Sequence, residues 1–416
     1  MLFGKLLDHL IQVGTLTVYD SRGREHVFRG PHEGPSATIR LHDRALEWRL
    51  FFSPDLVLGE AYTDGRLTVE DGGDLYGFMK LVGMNLEAAG HHPVAGWRLR
   101  LDSLFRRFHQ FNALGWARAN VAHHYDLSGE LYDLFLDRDR QYSCAYFPDG
   151  VDDLDVAQDE KKRHIAAKLQ VRPGQRVLDI GSGWGGMALH LARTAGADVT
   201  GVTLSVEQLN MSQKRAAEAG LADRARFFLR DYRKVDSQFD RIVSVGMFEH
   251  VGVSYYRTYF NKVRELLADD GVAVLHTIGR MEPPGATNPW IRKYIFPGGY
   301  IPALSEVVAA IEKARLWITD VEVLRLHYAE TLRHWRQRFM ANRDKALALY
   351  DERFCRMWEF YLVGSEISFR HMGNVVFQIQ MARRQDAVPL TRSYIEDSKA
   401  PASGGQSGSG DSHRAA

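Results

Sequence analysis

The sequence predicts an α/β protein: a doubly wound, mainly parallel sheet preceded by a smaller α+β module. Three observations carry this. From residue 160 onward, five short apolar runs alternate with helical segments: Arg176–Ile180, Asp198–Thr203, Ala225–Leu229, Asp240–Val245 and Gly271–His276. That order implies right-handed βαβ crossovers. The first run leads into Gly181-Ser-Gly-Trp-Gly185 and then the helical Met187–Ala192, the strand, glycine turn and helix with which nucleotide-binding sheets begin. The first 80 residues instead show short alternating runs, Thr15–Tyr19, Ala37–Leu41 and Leu67–Glu70, separated by turn residues, which reads as a separate strand-rich module.

Between these regions, residues 81–120 turn helical. Leu101, Leu104, Phe105 and Phe108 share one stripe, flanked by Trp97, Arg98, Arg100, Arg106 and Arg107. Such a helix suits an anionic membrane surface; equally, it suits an interdomain position with its arginines solvated. After the fifth strand comes an irregular stretch, Gly279–Ile301, then helices at 304–315 and at about 329–381. The Ser/Gly-rich end reads as disordered. The division is therefore 1–95 for the module, 96–120 for a basic amphipathic linker, 121–393 for the large domain and 394–416 for the tail.

A chain of 416 residues, 45% apolar and 25% charged, is long enough for two or three globular domains. A net charge of +1 gives no electrostatic case for nucleic acid. No apolar run reaches 18 residues, so no transmembrane helix is expected. Asp8 interrupts the apolar start, which makes a poor signal peptide. Two cysteines, Cys144 and Cys355, speak against a disulfide framework or a cysteine zinc site and for a reducing cytoplasm.

In an open parallel sheet, ligands sit beyond the carboxyl ends of the strands. The turn Asp179-Ile-Gly181-Ser-Gly183-Trp-Gly185 fits S-adenosylmethionine better than a dinucleotide, because that cofactor has no pyrophosphate to cradle. The same residues also suit a plain structural turn. The other strand ends carry Thr203, Leu204, Ser205 and Gln208, then Asp231 and Tyr232, then Gly246-Met-Phe-Glu249-His250, then His276. Five polar or glycine strand ends look like one crevice, although Glu249 would also cap a helix and His276 would also serve as a satisfied core residue. Upstream, His123, His124 and nearby acids raise a metal site, but adjacent residues on a helix do not face one ion, and none is assigned. Cys144 reads as a catalytic thiolate or as a small apolar filler.

Several motifs together give a specific resemblance: Tyr125-Asp-Leu-Ser, Gln141-Tyr-Ser-Cys-Ala-Tyr-Phe147, Val177–Gly185, Gly201–Ser205, Asp240–Gly252, His276-Thr-Ile278, Ile295–Gly299 and Leu326–Trp335. In this order, over about residues 120–380, the chain resembles the cyclopropane-fatty-acyl-phospholipid synthases and the related mycolic acid cyclopropane synthases. Residues 1–100 resemble that family's smaller, lipid-associated N-terminal domain less sharply. The resemblance implies a class I S-adenosylmethionine-dependent methyltransferase sheet. It also implies a reaction in which the cis double bond of a phospholipid acyl chain attacks the cofactor's methyl group, and a bound bicarbonate removes a proton as the ring closes. Residues matching Cys144, Glu249, His276, Ile278 and Tyr328 would hold the bicarbonate. Tyr142, Ser143, Asp179, Gly181, Gly183, Gly185, Thr203, Leu204, Ser205, Gln208, Asp231 and Tyr232 would hold S-adenosylmethionine. The expected partners are unsaturated phospholipids at the inner membrane surface, met by a cytoplasmic, peripherally bound enzyme, with a homodimer as an option.

One position departs from the family. Ser365 stands where a cysteine is frequent, and Cys355 lies ten residues too early to replace it. A relative that methylates the alkene without closing a ring would share most of these motifs. A non-catalytic lipid-binding protein is the further alternative, opposed by the intact Glu249, His276, Tyr328 and glycine turn.

Overall fold

The computed structural model describes residues 2–88 and 128–396. The amphipathic stripe at 97–108, the boundaries at 95 and 120, His123, His124 and most of the tail lie outside them.

The N-terminal module runs α1 (Leu2–Leu10), β1 (Val13–Tyr19), β2 (Glu25–Arg29), β3 (His32–Leu41), α2 (Arg44–Phe52), α3 (Pro54–Thr63), β4 (Leu67–Val69) and α4 (Leu75–Ala88). Its sheet has the order β2-β1-β3-β4. Strand β2 was not anticipated: only Phe28 of its five residues is buried, so it lacks the alternation that marks a strand in sequence.

The large domain continues with α5 (Gly129–Asp133), α6 (Leu154–Leu169), β5 (Arg176–Ile180), α7 (Gly186–Ala195), β6 (Asp198–Thr203), α8 (Val206–Glu218), β7 (Ala225–Leu229), β8 (Phe239–Val245), α9 (Tyr256–Leu266), β9 (Leu267–Arg280), α10 (Pro289–Tyr294), α11 (Leu304–Lys313), β10 (Trp317–Leu324), α12 (His327–Ala341), α13 (Arg343–Leu349), α14 (Glu352–His371), β11 (Asn374–Ala382) and α15 (Ser393–Glu396). The sheet order is β10-β11-β9-β8-β5-β6-β7. Strands β5 to β9 pair in parallel, whereas β11 is antiparallel to both its neighbours. The chain turns to one side of β5 and then to the other, so the switch point lies between β5 and β8.

Alternate residues of the central strands feed opposite layers. Val177, Val199, Val243 and Val274 pack with Ile165, Met187 and Leu191 of α6 and α7. Leu178, Val202, Ile242 and Leu275 pack with Phe260, Val263 and Ile311 of α9 and α11. A third core joins the module to α12 and α14.

The helical region expected at about 329–381 holds only as far as His371. It divides into three helices, and Gly373, at φ +73°, ends the last. Residues 374–382 are instead the buried strand β11. Gln378 and Gln380 point into the protein, where Gln378 Nε2 lies 3.1 Å from His276 Nδ1 and Gln380 Nε2 donates to the Lys168 carbonyl at 2.5 Å. Two inward glutamines erase the apolar signature of a central strand. Strand β10 also went unread, and β9 extends past both of its anticipated ends. Residues 394–396, assigned to the disordered tail, complete a helical turn with Ile395 buried.

Candidate active site

The glycine turn after β5 needs backbone conformations that favour glycine: φ is +81° at Gly181, +53° at Gly183 and +86° at Gly185. The three do different things. A Cβ on Gly181 would stand 2.7 Å from the Met247 side chain, so the turn fits closely against the end of β8. A Cβ on Gly183 would meet nothing within 4 Å; that residue faces open space. A Cβ on Gly185 would stand 2.8 Å from Phe227 and 2.9 Å from Ser212. Gly185 therefore serves packing and does not line the cleft.

The cleft encloses about 1290 Å³ of empty space, the open solvent at its mouth included. Of the predicted cofactor residues, Tyr142, Ser143, Asp179, Gly181, Gly183, Thr203, Leu204, Gln208, Asp231 and Tyr232 line it. Ser205 does not: it caps α8, its hydroxyl accepting from Gln208 N at 3.3 Å. Thr203 Oγ1 donates to Gln208 Oε1 at 2.7 Å, which fixes both side chains at the rim. Burial raises the Asp231 carboxyl, but hydrogen bonds from Arg233 outweigh it and hold the group below its ordinary range. Asp179 is buried at the end of β5, and burial pushes its carboxyl up to about 7. Its Oδ2 has no partner among the described residues. The lining also includes Met247 and His250 of the strand-end run expected at the crevice, and Gln141, Trp184, Pro297 and Gly298, which were assigned no role.

The five residues of the predicted anion site do not line this cleft. Cys144 and Glu249 adjoin Ser143 and His250, which do, and His276 pairs with the lining residue Val245 across the sheet. Glu249 sits on the turn after β8, where its Oε1 accepts from Ile278 N at 2.6 Å and its backbone carbonyl holds Tyr300 N at 2.9 Å. Its Oε2 is buried without a partner among the described residues, and burial pushes the carboxyl up to about 7. His276 is buried on β9, and that burial holds its imidazole well below the ordinary value. With the Gln378 amide nitrogen donating to Nδ1, the proton is assigned to Nε2. Cys144 is buried, and burial pushes its thiol up. It is a neutral thiol and not a thiolate nucleophile. Tyr328 opens α12, its ring edge-on to Trp335 and 4.7 Å from Phe369. Cys144 and Tyr328 share one core, against which Ile278 also packs.

The Gln141–Phe147 segment is irregular, so its backbone groups need partners from elsewhere. Ala145 N donates to Thr331 Oγ1 at 3.0 Å and Phe147 N to His327 Nδ1 at 2.9 Å. The Tyr142 ring stacks on Trp335 at 5.1 Å, and its hydroxyl lies 2.8 Å from that of Tyr361 on α14. Ser365, one turn further along α14, is half-buried. Its hydroxyl has no hydrogen bond among the described residues; its own carbonyl accepts from Ser368 at 2.7 Å.

The profile of the mycolic acid cyclopropane synthetase family matches residues 114–379. The chain belongs to that family. Among its relatives, a cyclopropane-fatty-acyl-phospholipid synthase of Escherichia coli is 38% identical over 355 residues, 83% of this chain and 88% of that protein. A probable fatty acid methyltransferase of Pseudomonas putida is 43% identical over 257 residues, 60% of this chain and 65% of that one. The solved structure of the mycolic acid cyclopropane synthase CmaA1 complexed with SAH and CTAB is 35% identical, with a TM-score of 0.60, and matches over 64% of this chain and 97% of its own. The family member described here is thus an enzyme with the class I S-adenosylmethionine-dependent methyltransferase fold.

Proposed function

We propose that this enzyme adds a methylene group from S-adenosylmethionine to the cis double bond of unsaturated phospholipid acyl chains, with bicarbonate as general base. The sulfonium methyl would join the alkene as its C–S bond breaks and S-adenosylhomocysteine leaves, and loss of one proton to the base would then close the ring. When bound, S-adenosylmethionine supplies the electrophilic carbon and bicarbonate the basic oxygen. The residues supply the rest. Gly183 clears space for the cofactor, and the free Asp179 oxygen suits its ammonium group.

The observation that carries the base assignment is the buried, unpartnered Oε2 of Glu249. A carboxyl raised to about 7 is protonated over much of the neutral range and donates from that atom. The set proposed to act with it comprises a neutral His276 with its proton on Nε2, a neutral Cys144 thiol and the Tyr328 hydroxyl. A set of neutral donors fits a small anion, without the repulsion that an ionised carboxylate would bring. No described helix is long and apolar enough to cross a membrane, so the proposal includes access to lipid as a peripheral protein from the cytoplasmic face.

Lipids from cells expressing the chain test this. The expected product gains one CH2 per chain and shows cyclopropane methylene protons by NMR in place of vinylic ones. A gain of one carbon with exomethylene protons, or with a branch methyl and no cyclopropane protons, would favour the second reading, a C-methyltransferase giving methylidene or branched chains. That reading is supported by the likeness to the P. putida protein.

A further inference from the structure

Helix α6 carries three buried lysines, Lys161, Lys162 and Lys168. Two have carboxylates. Lys162 Nζ meets Asp139 at 2.5 Å and Asp159 at 2.9 Å, and Lys168 Nζ meets Glu322 at 2.5 Å. Lys161 is wholly buried, yet among the described residues its Nζ donates to two neutral groups, Ser143 Oγ at 2.8 Å and Gln141 Oε1 at 2.7 Å. Both acceptors line the cofactor cleft. From the same helix face, Gln158 Nε2 donates to the Ser143 carbonyl at 3.0 Å. Burying an ammonium without a directly bonded counter-ion is costly, and neutral acceptors offset little of that cost. A site that binds an anion gives the charge a purpose.

We propose that Lys161 is a positioning residue for S-adenosylmethionine, its ammonium orienting the Ser143 hydroxyl toward the carboxylate of the cofactor's amino-acid end. This rests on the assignment of Ser143 to the cofactor. Because Ser143 Oγ accepts from Lys161, its own proton is left to donate into the cleft. Ser143 stands above the end of β8: a Cβ on Gly246 would lie 3.7 Å from its Cβ. Asp179 ends the adjacent strand β5. The two sides of the switch point thus offer a cation-backed hydroxyl and a free carboxyl oxygen, the complement of a zwitterionic amino acid. Asp231 and Tyr232 lie beyond β7, at the far end of the cleft, where the nucleoside would lie. The charged and titratable groups around Lys161 are Asp137, Asp139, Lys162, Cys144 and His276. Burial pushes its amine down to about 7 against the attraction of Asp137 and Asp139.

The test compares two ligands by calorimetry on the full chain: S-adenosylhomocysteine, and 5′-methylthioadenosine, which lacks the amino-acid end. Lys161→Met should weaken S-adenosylhomocysteine about tenfold to a hundredfold, the range of a hydrogen bond to a charged group, and leave methylthioadenosine unchanged. Ser143→Ala should show the same selectivity. Equal weakening of both ligands in a folded variant would make Lys161 merely structural, and unchanged affinity for both would remove it from the site; either result overturns the proposal. Lys161→Gln, which keeps a donor without the charge, carries the same test if the methionine variant does not fold. Gly183→Val serves as the control: if it too leaves S-adenosylhomocysteine affinity intact, the placement of the cofactor itself is wrong.

Discussion

The cleft beyond the central strands and the neighbouring residues proposed to hold an anion are built on opposite plans. In the cleft, the polar rim is already paired: Thr203 with Gln208 and Asp231 with Arg233. Its shape comes from missing side chains at the glycine turn. In the set proposed to hold an anion, the protonation states of the side chains are the unusual part. Burial keeps Cys144 and His276 neutral and raises the Glu249 carboxyl to about 7, and one of its oxygens is left without a partner among the described residues. One site is made by removing bulk, the other by removing water.

The largest effect should come from the second plan. Glu249→Ala removes both the bond to Ile278 N and the free oxygen. It should lower kcat by about 10²–10³-fold, the range for a lost acid–base or electrostatic group, while S-adenosylhomocysteine affinity stays near wild type. Lost affinity with kcat preserved at saturation would join the two sites into one. Next, Gly183→Val should weaken S-adenosylhomocysteine at least about tenfold by filling the cleft. The strain of a branched residue at positive φ should cost about 1–2 kcal/mol, to be read from denaturant melts.

The pH response separates the plans further. At saturating cofactor and fixed bicarbonate, turnover should fall as pH rises through about 7, because ionised Glu249 repels the anion. His276, held far below its ordinary value, stays neutral across that range. In Glu249→Gln, which resembles the protonated carboxyl, the pH-dependent limb should disappear; its persistence would assign the titration to another group. Within the glycine turn, Gly185→Ala should destabilise by about 2–4 kcal/mol, since it adds a clash with Phe227 to the strain. Gly183→Ala should cost only the strain, and equal losses would erase the distinction drawn between the two glycines. The smallest effect is expected at Ser365. Its hydroxyl has no hydrogen bond among the described residues, so Ser365→Ala should shift stability by at most about 1 kcal/mol and leave turnover near wild type. A folded variant without activity would give Ser365 a direct role.

The same contrast explains what the sequence reveals. The cleft was legible from residues alone, because a strand with an apolar run and a glycine turn state their geometry locally. Its limits were not: Gly185 and Ser205 look like ligand residues but pack and cap. Of the proposed anion set, strand-end position marks Glu249 and His276 and chemistry marks Cys144, whereas Ile278, Tyr328 and the grouping of all five come only through resemblance. Nothing in the letters around Glu249 or Cys144 says that they are dry, since burial depends on β9, α12 and α14, which are distant in sequence. Strand β11 was misread as helix because its inward residues include Gln378 and Gln380, whose partners are His276 and Lys168. Lys161 escaped notice for the same reason. On a helix rich in lysine, glutamate and aspartate, nothing marks which cation turns inward.

The packing of α4 on α14 has a bearing on how the molecule can be divided. A Cβ on Gly83 would stand 2.5 Å from Ile367, and one on Gly59 would stand 2.5 Å from Trp290 and 2.8 Å from Phe360. Tyr62 donates to Glu359 at 2.9 Å. The family profile begins at residue 114, which invites trimming the chain to its matched part. Such a fragment would bare the outer side of α14, the helix whose Tyr361 hydroxyl braces Tyr142 at the cleft wall. The N-terminal module is in this sense a lid on the catalytic core's own apolar back, and a shortened chain should be recovered as aggregate unless the two pieces are made together.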